Sequence, residues 1–217
     1  MSEEKQKYDF LPQLENRSNV HRIEMDMVAH GSLVLDVGCH TGIMGEALKE
    51  RKEAKVIGLD TDVNALHIAR GRLDAALMLD VEGDTWAEHL IAEGYSRFDA
   101  IIFGDVLEHT RRPERILSQA KKLLSEGGIA IVSVPNVAHW RVRLGLFFGK
   151  FEYTDHGILD RTHLRFFTQR TSRRLIEESG FRVMKQDVAG YALPHWLIRL
   201  LPGLFAVQIV MSATPME

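Results

Sequence analysis

The sequence predicts an α/β protein built on a doubly wound, mostly parallel sheet of seven strands, and three observations carry that reading. Short apolar runs alternate along the chain with longer segments of helical pattern, as in repeated βαβ units. The run Leu33, Val34, Leu35 and Val37 is apolar on both faces, like a central parallel strand, and leads into Gly38 and Gly42, which permit a tight turn and close approach of a ligand. A second run, Lys55 to Leu59, ends in Asp60, about twenty residues after the turn, where a ribose edge lies in a nucleotide-binding βαβ unit.

The elements follow in order. A leading helix over Asn19 to Ala29 precedes strand one at 33–37, and a helix starts near Ile43 after the glycine turn. Strand two covers 55–59, with a helix from about Asp62, where aspartate is a good N-cap. Strands at 76–79, 98–103 and 128–134 alternate with helices from about Thr85 and Pro113, and a helix near Thr168 leads to a strand at 181–188. The stretch from Ala192 to Ala213 is the most apolar, but His195, Arg199, Pro202, Gly203 and Gln208 interrupt it as a membrane span. It predicts a short amphipathic helix or loop to Leu200, a Pro-Gly turn and a closing strand from Leu204 to Met211. Contact of Trp196, Leu197 and Leu200 with a membrane surface stays open as an alternative. Right-handed crossovers place helices on both faces and a ligand at the carboxyl ends of the strands.

Composition bounds the function. The 217 residues, 45% of them hydrophobic, suit one compact domain over 1–217, with an N-terminal helical segment at 1–30 and an insertion at 137–168. A net charge of −3 argues against a general nucleic-acid binder. The single cysteine, Cys39, excludes an internal disulfide, and no Cys/His spacing points to zinc, so no metal site is expected. The opening Met-Ser-Glu-Glu-Lys-Gln-Lys has no apolar core of a secretory signal, and the cytoplasm is the expected compartment.

The glycine turn favours an adenosine-type guest. Its spacing, Gly38-Cys-His-Thr-Gly42, puts His40 where a pyrophosphate-binding turn has its second glycine, so approach to a phosphate is disfavoured. At these residues the sequence resembles the class I S-adenosylmethionine-dependent methyltransferases, whose first motif matches Asp36, Gly38 and Gly42, with His40 departing from its middle glycine. Histidine tolerates left-handed backbone better than most residues. Val56-Ile-Gly-Leu-Asp60-Thr61-Asp resembles the second motif, which implies that Asp60 binds both ribose hydroxyls with Thr61 beside it. Leu77-Met-Leu-Asp80-Val81-Glu resembles the third, implying that Asp80 accepts from the adenine amine while the Val81 amide meets the ring. The stretch from Phe98 through Asp105 to Glu108 and His109 resembles the fourth motif, and that from Ser125 to Asn136 the fifth. The resemblance implies a Rossmann-like sheet whose last strand runs antiparallel beside strand five, S-adenosylmethionine as cofactor and S-adenosylhomocysteine as product. Purely structural readings stand beside it. Asp60 can cap a helix, Asp80 can form a surface turn with Gly83 and Asp84, and Glu108 and His109 can cap and orient the loop after strand four.

The acceptor end falls to the insertion after strand five, expected as a helix plus a loop that folds over the cofactor as a lid. Pro135-Asn136-x-x-His139 and Leu159-Asp160-Arg-Thr-His163-Leu-Arg-Phe-Phe-Thr168 resemble a bacterial subgroup whose members often accompany glycosyltransferases in surface-polysaccharide or natural-product pathways. A sulfonium methyl is already activated, so the enzyme needs orientation and water exclusion, and an alcohol acceptor also needs its proton removed. His139 or His163 is the candidate base, with Asp160 orienting the imidazole; the alternative is that both histidines hold the lid by hydrogen bonds. Arg141, Arg143, Lys150, Arg161, Arg165, Arg170, Arg173, Arg174 and Arg182 outnumber the acids of their span, which suits either an anionic acceptor, such as a sugar nucleotide or lipid-linked phosphate, or a solvated helix face. Trp140, Phe147, Phe148, Phe151, Tyr153, Phe166 and Phe167 are expected to be mostly core, with one or two free to stack on a substrate.

The leading reading is therefore a metal-independent methyltransferase acting at oxygen on a small or carbohydrate-like acceptor, with no oligomeric state set by the sequence. A dehydrogenase of the short-chain type needs Tyr-x-x-x-Lys, and none of Tyr8, Tyr95, Tyr153 and Tyr191 has a lysine four residues on. The remaining alternative is a catalytically silent S-adenosylmethionine-binding module that serves as a partner interface. Methylation of nucleic acid is disfavoured by the charge and by the lack of an Asn/Asp-Pro-Pro-aromatic run after strand four.

Overall fold

The computed structural model describes residues 16–190 and 193–216, so the expected helical segment before residue 16 lies outside the described residues. Helix α1 (Val20–Met27) starts at Asn19, whose side-chain oxygen accepts from the N–H groups of His21 and Arg22. It ends two residues short of the expected Ala29, because Val28 is already extended. Then come β1 (Leu33–Val37), α2 (Ile43–Lys52), β2 (Lys55–Asp60), α3 (Val63–Ala69), β3 (Ala75–Met78), α4 (Trp86–Ala92) and β4 (Phe98–Gly104). A 3-10 turn (Leu107–His109), α5 (Pro113–Ala120), a second short 3-10 turn (Lys121–Leu123), β5 (Leu124–Pro135), α6 (Trp140–Phe147), α7 (Gln169–Glu178) and β6 (Phe181–Ala189) follow, and α8 (His195–Leu200), α9 (Pro202–Phe205) and β7 (Gln208–Pro215) close the described chain.

The strands form one sheet in the order β3-β2-β1-β4-β5-β7-β6. β1 to β5 pair in parallel, whereas β7 runs antiparallel to both β5 and β6, as the family resemblance implied. From β1 the chain winds outward to β3 and then returns to β4 on the other side. The strand order therefore reverses between β1 and β4, and a crevice opens at their carboxyl ends. Alternate residues of the strands feed opposite faces. Leu35, Leu59 and Phe103 join Trp86 of α4, Leu117 of α5 and Ile176 of α7 in one core, while Val34, Val56 and Ile102 join Ile23 of α1, Leu48 of α2 and Leu66 of α3 in the other. Each such fully buried side chain contributes roughly 1.5–3 kcal/mol relative to exposure.

Three expectations need correction. The closing strand begins at Gln208, four residues after Leu204, because Pro202 occupies the first turn of α9 and carries Leu204 and Phe205 into a helix. The strand gains the same length at its far end, where Phe181 pairs with Pro215. β5 starts at Leu124 rather than Gly128, and an irregularity in its pairing with β4 between Phe98 and Ala100 absorbs the left-handed Gly127, at φ 77°. The aromatic residues of the insertion are mostly not core: only Phe167 is buried, and Phe147 is 81% exposed. α6 buries Val142 alone, so the rings around it have no neighbouring layer to enter. Among the described residues no helix is long and apolar enough to cross a membrane.

Candidate functional site

The crevice is a cleft of about 1310 Å³, bordered by the turns after β1, β2, β3 and β4, by α1, by Gln208, and by residues 156–163 of the insertion. At its centre the β1 turn is held by the Leu59 carbonyl, which accepts from the N–H groups of Gly38 and Cys39 at 2.8 and 2.9 Å. Gly38 has φ 74°, and a Cβ there would lie 2.6 Å from a Val106 methyl, so no larger residue fits without displacing the loop after β4. His40 adopts the left-handed conformation that its motif position requires, at φ 46°. Its N–H donates to Asp60 Oδ2 at 2.7 Å, which ties the two turns together.

The cofactor-side residues assigned from the sequence converge here: Asp36, Gly38, His40, Asp60, Thr61, Asp80, Val81 and Asp105 all border the cleft, while Gly42, at φ 78°, stands behind as the N-cap of α2. Asp60 is more committed than expected. Oδ1 accepts from the N–H groups of Thr61 and Asp62, and Oδ2 from His40, so three of about four acceptor positions are taken by backbone. The helix-capping duty belongs to Asp62, which accepts from the N–H groups of Asn64 and Ala65. Asp80 accepts from the Glu82 N–H in a tight local turn, with its side chain exposed at the rim.

The floor of the cleft is a buried acidic cluster that the sequence motifs only partly name. Asp36 and Asp105 are joined by Glu24 of α1, and one oxygen each of Glu24 and Asp36 lacks a hydrogen-bond partner. His21 Nδ1 lies 3.2 Å from the other Glu24 oxygen. Burial, reinforced by the Glu24 charge, raises the Asp36 carboxyl to about 7 and that of Asp105 to about 6. Burial opposes charge on His21, but Glu24, Asp105 and Asp36 outweigh it and raise its pKa. Asp105 sits in the left-handed region at φ 51°, its N–H bonded to the Ser133 hydroxyl and its carboxyl to Ser133 and the Gln208 amide. Neither Glu24 nor Gln208 was singled out from the sequence as a site residue. The available signal for Glu24 was its place one turn after Val20 and next to Ile23, on the apolar stripe of the leading helix.

At the opposite end residues 156–163 of the insertion border the cleft, whereas no residue of α6 does. His163 and Asp160 border the cleft, but His139 does not. His139 is the N-cap of α6, where its Nδ1 accepts from the Arg141 N–H at 3.4 Å, and burial followed by the Arg141 charge lowers its pKa. The Asp160 carboxylate accepts from the N–H and hydroxyl of Thr162, at 2.9 and 2.7 Å, and the Thr162 hydroxyl lies 3.2 Å from His109 Nδ1. Asp160 thus organises the turn that carries both Thr162 and His163. The structural reading of Glu108 holds for its backbone, whose carbonyl accepts from the N–H groups of Leu164 and Arg165. Its side chain is a different matter: the residue is 1% exposed, neither carboxyl oxygen has a hydrogen-bond partner, and burial raises its pKa well above the usual carboxylate range. Nine carboxylate residues but no lysine or arginine occur among the described residues that border the cleft. The arginines of the insertion and α7 are partly spent on Asp155, Glu177 and Glu178.

Comparison with known proteins places this geometry in a family. The profile of the methyltransferase domain matches residues 9–186. A ubiquinone biosynthesis O-methyltransferase of Psychrobacter arcticus is 28% identical over 177 residues, covering 78% of this chain and 66% of that protein. One of Klebsiella pneumoniae is 33% identical over 107 residues, covering 49% of this chain and 43% of that protein. The chain spans about half the length of the curated relatives it matches. Among solved structures, an S-adenosylmethionine-dependent methyltransferase of Thermotoga maritima shares the fold with a TM-score of 0.67 at 18% identity, over 97% of this chain and 94% of that one. With its strand order, its glycine turn and the acids at its strand ends, the chain belongs to the methyltransferase-domain family, of the class I S-adenosylmethionine-dependent type.

Proposed function

We propose that this protein methylates a hydroxyl oxygen of a small-molecule acceptor, with S-adenosylmethionine as donor. The observation that carries the reading is the acid-lined cleft, free of lysine and arginine among its described lining residues, at the carboxyl ends of β1, β2 and β4. Such a cleft suits a cationic donor. The unpartnered oxygens of Glu24 and Asp36 fit its charged methionine end, the Asp60 turn fits the ribose, and Asp80 with the Val81 amide fits the adenine. The donor supplies an activated methyl: an O–CH3 bond forms as the S–CH3 bond breaks, the electron pair stays on sulfur, and S-adenosylhomocysteine leaves.

The chain's own residues then have three tasks. The β1 and β2 turns bind and orient the donor, the 156–163 segment excludes water, and the end of the cleft around His163 meets the acceptor hydroxyl and takes up its proton. The His163 ring is positioned for this by its Nδ1, 3.2 Å from the Ile158 carbonyl. A carbonyl only accepts, so Nδ1 carries the proton of the neutral ring and Nε2 bears the lone pair. The names of the relatives, O-methyltransferases of ubiquinone biosynthesis, favour transfer to oxygen, whereas the resemblance of the insertion favours a carbohydrate-like acceptor. The acidic lining disfavours an anionic acceptor.

Calorimetric titration with S-adenosylhomocysteine, followed by a methyl-transfer screen of catechols and neutral sugars, tests the proposal. Binding together with transfer to one hydroxyl class supports it. Absence of binding by the folded protein overturns it, and binding without transfer to any hydroxyl moves the silent-module reading to first place.

A further inference from the structure

Glu108, His109 and His163 bring three ligand-bearing side chains together from two separate segments, the 3-10 turn after β4 and the insertion. One donor atom from each lies within 4.8 Å of the others. The group borders the cleft at the acceptor end. Its Glu108 carboxyl, 1% exposed, has both oxygens without a hydrogen-bond partner. A buried carboxyl left in that way is disfavoured whether ionised or protonated, since the acid form would have a donor with nothing to receive it.

Both imidazoles are set up alike. His109 Nδ1 lies 3.3 Å from the Thr162 carbonyl and His163 Nδ1 lies 3.2 Å from the Ile158 carbonyl. A carbonyl cannot donate, so each neutral ring carries its proton on Nδ1 and bears its lone pair on Nε2. Backbone carbonyls that fix the tautomer of a ligating histidine are the usual outer support of a metal site. The two rings meet edge to face, with centroids 4.8 Å apart.

We propose that Glu108, His109 and His163 bind a divalent first-row cation of the zinc or manganese type, and that this cation holds and activates the acceptor hydroxyl. The proposal rests on the methyltransferase reading above. It replaces the metal-independent chemistry expected from the sequence and also the uptake of the hydroxyl proton at His163, whose Nε2 lone pair goes to the cation instead. Two imidazoles and a carboxylate match such a cation, and they leave coordination positions open for the acceptor oxygen. A hydroxyl on the cation loses its proton to solvent water near neutral pH, and the resulting oxygen supplies the electron pair of the new O–CH3 bond. No oxidant or reductant is needed. The same cation neutralises Glu108, and through His163 it anchors the insertion over the cleft.

The test uses chelator-treated full-length protein titrated calorimetrically with zinc chloride and, separately, manganese chloride. S-adenosylhomocysteine binding is measured on every sample as an independent check of folding and of the cofactor reading. The expected result is saturable binding of one cation per chain, weakened about 10- to 100-fold by Glu108→Gln and by His163→Ala and unchanged by His139→Ala. No binding of either cation to wild type, or binding that both site variants leave intact, overturns the proposal. Since His163 lies on a loop, its variant keeps the test decisive where Glu108→Gln does not fold. A protein that binds S-adenosylhomocysteine but neither cation loses only the cation site, whereas one that binds a cation but not S-adenosylhomocysteine loses the methyltransferase reading.

Discussion

The two ends of the cleft hold their acids in opposite ways. At the end proposed for the ribose, Asp60, Asp62 and Asp80 lie at or just after strand ends, partly open to water, with oxygens on backbone N–H groups of their own turns. On the floor and at the acceptor end, Glu24, Asp36 and Glu108 are buried with oxygens that lack partners, and Asp36 and Asp105 are held toward the protonated form. Local turns satisfy charge cheaply and fix geometry, whereas buried unpartnered carboxyls store an electrostatic cost that a bound cation relieves. The ribose end is built to be rigid, and the other is built to respond.

The contrast is open to four tests, beginning with the largest effect. Asp36 ionises near pH 4 in the unfolded chain but at about 7 in the fold, so its stabilising share is complete below the lower value and is lost as pH rises through the upper one. Asp105, raised to about 6, and His21, also raised, act in the same direction. Urea midpoints without ligand should therefore fall between pH 5 and 8, with Asp36 alone accounting for up to ~4 kcal/mol between its two limits. A midpoint that climbs over that window would remove the responsive end from the comparison.

Next, Asp60→Ala takes away three backbone bonds to a carboxylate and is expected to weaken S-adenosylhomocysteine binding by ~100-fold or more, while flattening the slope with pH less than a change at Glu24, the stronger of the two charges that raise Asp36. Calorimetry on wild type and variant checks the first half and the urea series the second. Glu24→Gln removes the second-largest cause of the Asp36 shift and should flatten that slope by ~1 kcal/mol. An unaltered slope would mean that burial alone sets it. His139→Ala removes a long 3.4 Å capping contact and is expected to cost only ~0.5 kcal/mol, with turnover unaltered. Loss of turnover in that variant at full cofactor affinity would move the acceptor chemistry away from His163.

The ribose end was legible in the sequence because each part is local: an apolar run, a turn, an acid at the strand end. Asp60 could be named from those patterns alone and Asp36 and Asp80 from the motifs of the family resemblance, and the left-handed His40 agrees with the tolerance of histidine for that backbone. The floor was not legible. Gln208 reaches Asp105 across 103 positions of chain, and only the antiparallel pairing of β7 with β5 sets them side by side. Glu108 read as a loop residue because its burial depends on residues 156–163 folding back across the 3-10 turn. The choice between His139 and His163 was likewise tertiary. Both follow motif residues, but one caps a helix that does not border the cleft and the other borders it. The late start of β7 was missed because a Pro-Gly pair serves equally in a turn and in the first turn of a helix.

The strand order has a consequence for assembly in time. β6 touches the sheet only through β7, which is later in the chain, so a ribosome releases β6 and its helix before the strand that will dock them exists. β7 enters between two neighbours already made, like the last board of a floor, and brings Gln208 to Asp105 in the same motion. Completion of the sheet and completion of the cleft are then a single late event, slow because its contacts are distant in sequence. A chain stalled before residue 208 would hold the whole ribose-side motif and still lack a finished floor.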